Sequence, residues 1–279
     1  MATPEPDDRK VGQLYPVAKA VITPVFRFAW RFHVEGLDHV PATGPAIICP
    51  NHTSVLDSFF VPAVLPRKIT YVGKAEYMDD WKTKHLFPAM GMIPIDRGGG
   101  SAAERALAAA QRVLERGELF GIYPEGTRSR DGVLHKGHTG PARLALRTGA
   151  PLVPVGIRGA REVMPPEAKF PKAFRPVVIR FGQPVDVERY RDRPNDRLVL
   201  RQIIDEVMYS IRELSGQEYV DQYATKKAEN IPTEVARVGP LPEGNGHDPS
   251  VADVTVDATD DGTRRSSAAV LAGPRRRPA

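Results

Sequence analysis

The chain has 279 residues, 41% hydrophobic and 26% charged, which are the proportions of a globular protein with one sizeable core. Its single cysteine, Cys49, excludes an internal disulfide, and its position in an apolar run favours packing over a role as a nucleophile. No stretch reaches about 18 uninterrupted apolar residues, so we expect no transmembrane helix. We also expect no signal peptide, because the first apolar run is short and no small-residue cleavage site follows it.

Residues 1–32 form the first predicted region, a basic amphipathic helix after a polar start. Five basic residues and no acidic one lie between residues 9 and 34, which favours an anionic surface as a partner. Two interpretations remain open: the helix lies in a membrane interface, or it packs on the protein's own core. The apolar residues at helical spacing are Leu14, Val17, Ala18, Val21, Ile22, Val25, Phe28, Ala29 and Phe32, with Phe26 and Trp30 at one flank.

Residues 33–224 form the second predicted region, in which short apolar runs alternate with helical patterns. This alternation predicts a single α/β domain with a largely parallel mixed sheet flanked by helices. The predicted strands cover residues 47–49, 69–72, 92–95, 119–123, 152–157 and 177–181, and the predicted helices cover residues 101–116, 141–147 and 196–214. Residues 225–279 lack aromatic residues and periodicity and are rich in Pro, Gly, Ser, Asp and Ala, which predicts a disordered tail.

A polar turn between two apolar runs, residues 46–65, holds His52 and Asp57. If a helix begins at Ser54, the Asp57 carboxylate can reach back to one ring nitrogen of His52 and leave the other as a base for a hydroxyl proton. Ser54 and Asp57 also have the spacing of a capping box, in which Asp57 would only accept the backbone N–H of Ser54. The residues alone leave both interpretations open.

Two further segments follow the pattern of strand, polar loop and helix. In the first, Arg97 and three glycines precede a helix, which suits an anion site or a flexible surface loop. In the second, YPEGTRSRDG, a carboxylate, a glycine and an arginine follow a strand, which suits a ligand site or a Pro/Gly turn with solvated charges. Together with His52, these loops place a base, two arginines and backbone donors at successive strand ends. A phosphate-bearing substrate with a reacting hydroxyl would require such a set.

Five blocks resemble, in order, the conserved blocks of the glycerolipid acyltransferases, and the chain is most similar to the PlsC-type 1-acylglycerol-3-phosphate acyltransferases. The resemblance spans roughly residues 33–185 and implies the glycerol-3-phosphate acyltransferase-like fold. The blocks are NHTSVLD at 51–57, GKAEY at 73–77, IPIDR at 93–97, YPEGTRS at 123–129 and VPVGI at 153–157.

The resemblance implies a role for each matching residue. His52 would be the general base on the acceptor hydroxyl, and Asp57 would orient it. Lys74 and Arg128 would hold the acceptor phosphate, with Arg97 a weaker candidate for the same task.

Glu125, Gly126 and Thr127 would shape the acceptor site. Family members use no metal or prosthetic group, and their donor is an acyl thioester on coenzyme A or acyl carrier protein. Two departures stand out: Tyr123 occupies a position where the family often has Phe, and a single amphipathic helix replaces the longer or two-helix membrane anchor of some members.

The resemblance therefore predicts an enzyme of phospholipid biosynthesis. It would move a fatty acyl group from acyl-CoA or acyl-ACP to 1-acylglycerol-3-phosphate, forming phosphatidic acid, as a peripheral or monotopic protein on the cytoplasmic face of the cell membrane. Another acceptor remains an alternative, such as glycerol 3-phosphate, another lysophospholipid or a lipid-linked sugar, as does a non-catalytic basic protein that binds membranes or nucleic acid. His135 and His138 lack the further ligands that a metal site needs, so we expect no metal, and we expect no nucleic-acid partner.

Overall fold

One mixed sheet organises the described part of the chain, which in the computed structural model comprises residues 15–74, 91–95 and 102–224. Its seven strands have the order β1-β8-β7-β2-β5-β3-β4, and only β7 and β8 pair antiparallel. The predicted largely parallel mixed sheet is therefore confirmed. The strands are β1 (Arg31–Glu35), β2 (Ala46–Pro50), β3 (Ile69–Lys74), β4 (Met92–Ile95), β5 (Leu119–Gly121), β7 (Leu152–Arg158) and β8 (Pro176–Phe181), and a separate small ladder joins β6 (Leu134–His135) to β9 (Tyr219–Val220).

Helices cover both faces of the sheet. The described helices are α1 (Tyr15–Ala29), α2 (Asp57–Val64), α3 (Ala102–Glu115), α4 (Gly140–Thr148), α5 (Ala160–Val163) and α6 (Arg197–Ser215). Their ends follow local chemistry: the Asp196 carboxylate accepts the N–H groups of Leu198 and Val199 at the start of α6, and Gly149 ends α4 at a φ of 69°. Ser101, the predicted cap of α3, lies outside the described residues.

The hydrophobic core has two parts, one on each side of the sheet. One contains α3, α4 and α6, and the other contains α1, α2 and α5. Successive β2 residues point alternately into the two parts, Ile47 and Cys49 into the first and Ala46 and Ile48 into the second. Cys49 is fully buried and its burial raises the pKa of its thiol, which agrees with packing rather than nucleophilic chemistry.

The N-terminal helix differs from its prediction in its end and in its apolar face. It ends at Ala29, and residues 31–35 form β1, which pairs in parallel with β8. The predicted helix end at Phe32 and the predicted boundary between residues 32 and 33 therefore fall inside a strand, because pairing with a distant segment overrides local helical spacing.

The predicted apolar stripe of α1 is divided between core and surface. Ala18, Ile22 and Ala29 of the stripe pack on the core, as does Phe26 of its flank, whereas Val17, Val21, Val25 and Phe28 of the stripe are exposed. The interpretation that the helix packs on the protein's own core is thus correct for about half of the stripe. Within the described ranges, no helix has the length and hydropathy that crossing a membrane requires. The predicted tail, residues 225–279, lies outside these ranges.

Candidate active site

The carboxyl ends of β2, β3, β4, β5 and β7 share one edge of the sheet, because these five strands run in the same direction. Open α/β sheets place ligands at this edge. His52 follows β2 by two residues, and the segment from Tyr123 to Arg128 follows β5, the strand that pairs with β2. The predicted site loops therefore lie side by side, although they are far apart in the sequence.

His52 and Asp57 are joined by a hydrogen bond. The Asp57 Oδ2 atom lies 3.0 Å from His52 Nδ1, and the side chain of Asp57 is fully buried while that of His52 is 15% exposed. The same oxygen accepts the backbone N–H groups of Thr53 and Ser54, each at 2.8 Å. Both interactions considered from the sequence, the polarised imidazole and the cap, are present at one atom.

This arrangement selects the tautomer of His52. With Nδ1–H donating to a carboxylate, Nε2 carries the lone pair, and none of the described residues hydrogen-bonds to it. The helix α2 begins at Asp57, three residues later than predicted, and residues 54–56 form the turn that brings the carboxylate back to the ring.

Tyr123 packs against the imidazole and was not predicted to do so. Its ring stacks on the ring of His52 with centroids 3.8 Å apart and planes inclined by 14°. Its hydroxyl lies 2.8 Å from Ser58 Oγ, and the ring of Tyr71 stacks with it at a centroid distance of 5.8 Å. The ring of His52 is thus held by a hydrogen bond at its edge and by an aromatic face. The only sequence signal for this contact was an aromatic residue at the end of the strand predicted over residues 119–123.

Glu125 joins two loops from beneath the site. Its Oε1 atom accepts the backbone N–H of His52 at 2.9 Å, and its Oε2 atom accepts the backbone N–H of His135 at 3.0 Å. The side chain is only 1% exposed, and this burial raises its pKa to about 8 against the smaller opposing effect of the two hydrogen bonds. Glu125 therefore shapes the site by supporting the backbone of His52, and it is absent from the cavity wall.

A cavity of about 530 Å³ opens at this edge of the sheet. His52, Gly126, Thr127 and Arg128 all line it, so four predicted site residues meet at one space. Among the described residues, none forms a hydrogen bond or an ion pair with Arg128. The rest of the lining comes from β3, β4, β5, residues 122–124, α3 and the start of α4, with two further basic residues, Arg130 and His138.

The glycine of this loop is required by its backbone conformation. Gly126 has a φ of 72°, in the left-handed region, and a Cβ at this position would lie 3.0 Å from Cδ2 of His138. His138 itself is exposed and stacks on Tyr223 with ring centroids 4.5 Å apart. A larger residue at position 126 would therefore strain the loop that carries Arg128.

The remaining predicted residues are only partly described. Lys74 is the last residue of β3 and pairs in register with Ile95 of β4, so its backbone lies at the same edge as His52, but its side chain is outside the described set. Arg97 also lies outside it. His135 contacts Asp131 at 3.1 Å, and the described residues contain no group of three side chains that could hold a metal ion.

Two polar residues that the sequence did not single out hold the His52 turn in place. The Asn51 amide donates to the carbonyl of Ile157 and accepts its N–H, which fastens the end of β2 to β7. Ser129 donates its backbone N–H to the carbonyl of His52 at 2.7 Å. These contacts join residues far apart in the chain, so periodicity could not have revealed them.

Comparison with known proteins assigns the segment that carries this site. Residues 31–158 match the family described as Acyltransferase. These residues are an acyltransferase-family domain. The resemblance inferred from the motifs is therefore confirmed for this segment, and both His52 and the PEGTR loop lie inside it.

Relatives of the acyltransferase domain share the same description. The chain is 28% identical over 137 residues to a chloroplastic 1-acyl-sn-glycerol-3-phosphate acyltransferase of Arabidopsis thaliana, covering 49% of this chain and 38% of that protein. It is 31% identical over 156 residues to an enzyme of the same name from Limnanthes douglasii, covering 56% and 54%. The corresponding mouse alpha enzyme is 29% identical over 131 residues, covering 47% and 46%. The chain thus spans about half the length, or less, of these three relatives.

A solved structure supports the same fold. The lysophosphatidic acid acyltransferase PlsC from Thermotoga maritima superposes with a TM-score of 0.55 at 24% identity, covering 73% of this chain and 79% of that chain. The acyltransferase domain therefore has the PlsC fold, as the motifs predicted.

Proposed function

We propose that the protein is a 1-acylglycerol-3-phosphate O-acyltransferase, which transfers a fatty acyl group from an acyl thioester to the free hydroxyl of a lysophosphatidic acid. The observation that most directly supports this proposal is that His52 and Arg128 line the same cavity. Nδ1 of His52 is hydrogen-bonded to a buried carboxylate, and Arg128 has no hydrogen-bond or ion-pair partner among the described residues. Every named relative reported above is an acyltransferase acting on 1-acyl-sn-glycerol-3-phosphate, which supports the same substrate class here.

His52 is the general base of the proposed reaction. Its Nε2 accepts the proton of the acceptor hydroxyl while the hydroxyl oxygen attacks the thioester carbonyl carbon. The new C–O bond forms, the C–S bond breaks, and the proton passes from the imidazolium to the leaving sulfur. Asp57 stabilises the imidazolium between these steps, because its Oδ2 atom already accepts Nδ1–H.

Arg128 is the proposed partner of the acceptor phosphate. A guanidinium binds two phosphate oxygens at once, so it fixes both the position and the orientation of the headgroup. Lys74, at the end of β3, and Arg97 are proposed to add positive charge on the same side. Holding the headgroup in this way sets the distance from its hydroxyl to His52 and can lower the barrier by several kcal/mol.

The supporting residues have separate tasks in this proposal. Glu125 keeps the backbone of His52 in place, and Gly126 and Thr127 line the same cavity as the base and Arg128. The donor is proposed to be acyl-CoA or acyl-ACP, with no cofactor beyond it. We place the protein peripherally on the cytoplasmic face of the membrane, with α1 as its contact and residues 33–224 as the acyltransferase region.

A matched pair of variants tests the base. Purified protein is given lysophosphatidic acid and acyl-CoA, and phosphatidic acid is measured by mass spectrometry. His52→Ala should lose activity by a factor of about 10² to 10⁴. His33→Ala, which removes an exposed histidine on β1, should retain it. Undiminished turnover by His52→Ala would exclude the proposed base.

An acceptor without a phosphate group tests the proposed role of Arg128. Arg128→Ala should raise the KM for lysophosphatidic acid and leave the KM for the matching monoacylglycerol unchanged, because only the first acceptor carries the anion. Glycerol 3-phosphate and other lysophospholipids in the same panel would reveal a different natural acceptor by a higher kcat/KM. An equal effect of Arg128→Ala on both acceptors would exclude phosphate binding at this residue.

A further inference from the structure

An exposed apolar surface lies on two segments that are far apart in the chain. The first is the outer face of α1, and the second is the segment of residues 164–175 that joins α5 to β8. Phe28 is 81% exposed and Phe170 is 82% exposed, which is unusual for aromatic side chains of this size. The aromatic surface, as we call it, consists of Val17, Val21, Val25 and Phe28 of α1 with Phe170 and Phe174 of residues 164–175.

Direct contacts make these two segments one surface. The rings of Phe28 and Phe174 lie 6.2 Å apart with an edge-to-face inclination of 78°. The backbone N–H of Phe174 donates to the carbonyl of Ala29 at 2.6 Å, and the indole N–H of Trp30 donates to the carbonyl of Lys172 at 2.8 Å. The segment therefore has a defined position beside the end of α1.

The backbone of Phe174 is held in an unfavourable conformation. Its φ of 60° lies in the left-handed region, and it is the one non-glycine residue with positive φ among those described. This conformation is sterically unfavourable for a residue with a side chain, and bulky residues adopt it rarely. Packing does not explain the ring, because Phe174 is 63% exposed. Strain of this kind at an exposed aromatic residue points to a function outside the fold itself.

The charges around the aromatic surface are almost all positive. Exposed basic residues alternate with the apolar ones on both segments, whereas Glu167 is the single acidic residue in α1, residues 30–31 and residues 164–175 together. Basic side chains beside Phe and Val form the pattern of a segment that lies in the interface of an anionic bilayer. The exposed basic residues are Arg27, Arg31, Lys169, Lys172 and Arg175.

We propose that residues 164–175 are a second membrane-contact element, which inserts Phe170 and Phe174 into an anionic bilayer beside the outer face of α1. The inference rests on the lipid acceptor of the proposed function. It extends that function because the segment also contacts the catalytic turn. Ser54, two residues after His52, donates its Oγ hydrogen to the carbonyl of Met164 at 2.7 Å. Docking by two elements fixes the orientation of the site relative to the membrane, which one helix alone would leave free to rotate.

Vesicle binding by the full chain tests the proposal without any turnover. The probes are vesicles of phosphatidylcholine alone and of phosphatidylcholine with 30% phosphatidylglycerol, and binding is measured by co-sedimentation. The test variants are Phe170→Ser and Phe174→Gly. Phe174→Gly is informative because glycine relieves the positive φ while removing the ring, so the variant should unfold at the same or a higher temperature. Each should bind the anionic vesicles about tenfold or more weakly than the parent protein.

Leu198→Ser is the matched control, because Leu198 is 78% exposed on α6 and belongs to the opposite side of the sheet. This variant should bind vesicles like the parent protein. The proposal would be overturned if Phe170→Ser and Phe174→Gly bound vesicles as the parent protein does, or if the Leu198→Ser control lost as much binding. It would also be overturned if the parent protein bound both vesicle types equally. So would a change in oligomeric state of the Phe variants without lipid, which would identify the surface as a contact between protein chains.

Activity on a micellar lysophosphatidic acid separates this proposal from the proposed function. The Phe variants should keep micellar activity and lose activity on vesicles, whereas His52→Ala should lose both and still bind vesicles. If the parent protein binds anionic vesicles through Phe170 and Phe174 but transfers no acyl group, the docking surface stands and the proposed reaction fails.

Discussion

Replacing Asp57 by Asn separates the catalytic and capping interpretations of this carboxylate. Asn keeps the shape and one acceptor oxygen for Thr53, Ser54 and His52, but it removes the charge. Opposite charges about 4 Å apart attract by about 4 kcal/mol at an effective dielectric constant of about 20. This energy corresponds to about 10³ in rate. Because the His52 ring is 15% exposed and water screens part of the attraction, we expect kcat to fall by about 10²- to 10³-fold.

The assay measures kcat, the KM for lysophosphatidic acid and the unfolding temperature of each variant. Asp196→Asn is the matched control, because Asp196 caps α6 with the same kind of backbone hydrogen bonds and is absent from the cavity wall. Asp57→Asn should lose about 1–2 kcal/mol of unfolding free energy, because its hydrogen bonds are buried and assisted by the charge. Asp196→Asn should change the stability little, because Asn caps a helix about as well as Asp, and only Asp57→Asn should lose kcat. If Asp57→Asn retains kcat within about threefold of the parent, as a cap would, the argument for a polarised imidazole is wrong.

Three further predictions concern the loops around the base. Gly126→Ala should lower the thermal unfolding temperature by more than Gly44→Ala does. Both glycines have a positive φ, but only Gly126 has a neighbour close to the added Cβ. Equal decreases in unfolding temperature would contradict the close contact at position 126. Since burial raises the pKa of Glu125 to about 8, well above that of an ordinary glutamate, the native state holds a proton there that the unfolded chain releases. Stability in urea should therefore fall as pH rises from about 5 to 8, and the slope should flatten in Glu125→Gln; an unchanged slope would contradict the shift. Tyr123→Phe keeps the stacked ring and should retain most of kcat, whereas Tyr123→Leu should lower kcat about tenfold. Equal kcat values for the two variants would exclude a role for stacking. Ser58→Ala is the control for the hydroxyl contact that both variants lose.

Local patterns predicted most of the described elements near their observed positions. Alternation of apolar runs with helical spacing placed β3, β4, β5, β7 and β8 and the helices α3, α4 and α6 within a few residues of their ends. Caps contribute to this success, because Asp196 begins α6 and Gly149 ends α4 through contacts with their own neighbours in the chain. The strand β1 was missed because residues 31–35 have no strong local preference and become a strand only by pairing with β8.

The amino-acid sequence by itself determined the order of most strands and helices, the position of His52 and Arg128 after two of the strands, and the family of residues 31–158. Those features depend on residues that are neighbours in the chain. Only the tertiary structure decided that Tyr123 stacks on His52, that Glu125 supports the backbone of His52, and that the apolar stripe of α1 is half buried and half exposed. These features depend on contacts between residues as many as 73 positions apart, and the packing of the sheet, rather than any local preference, brings such residues together.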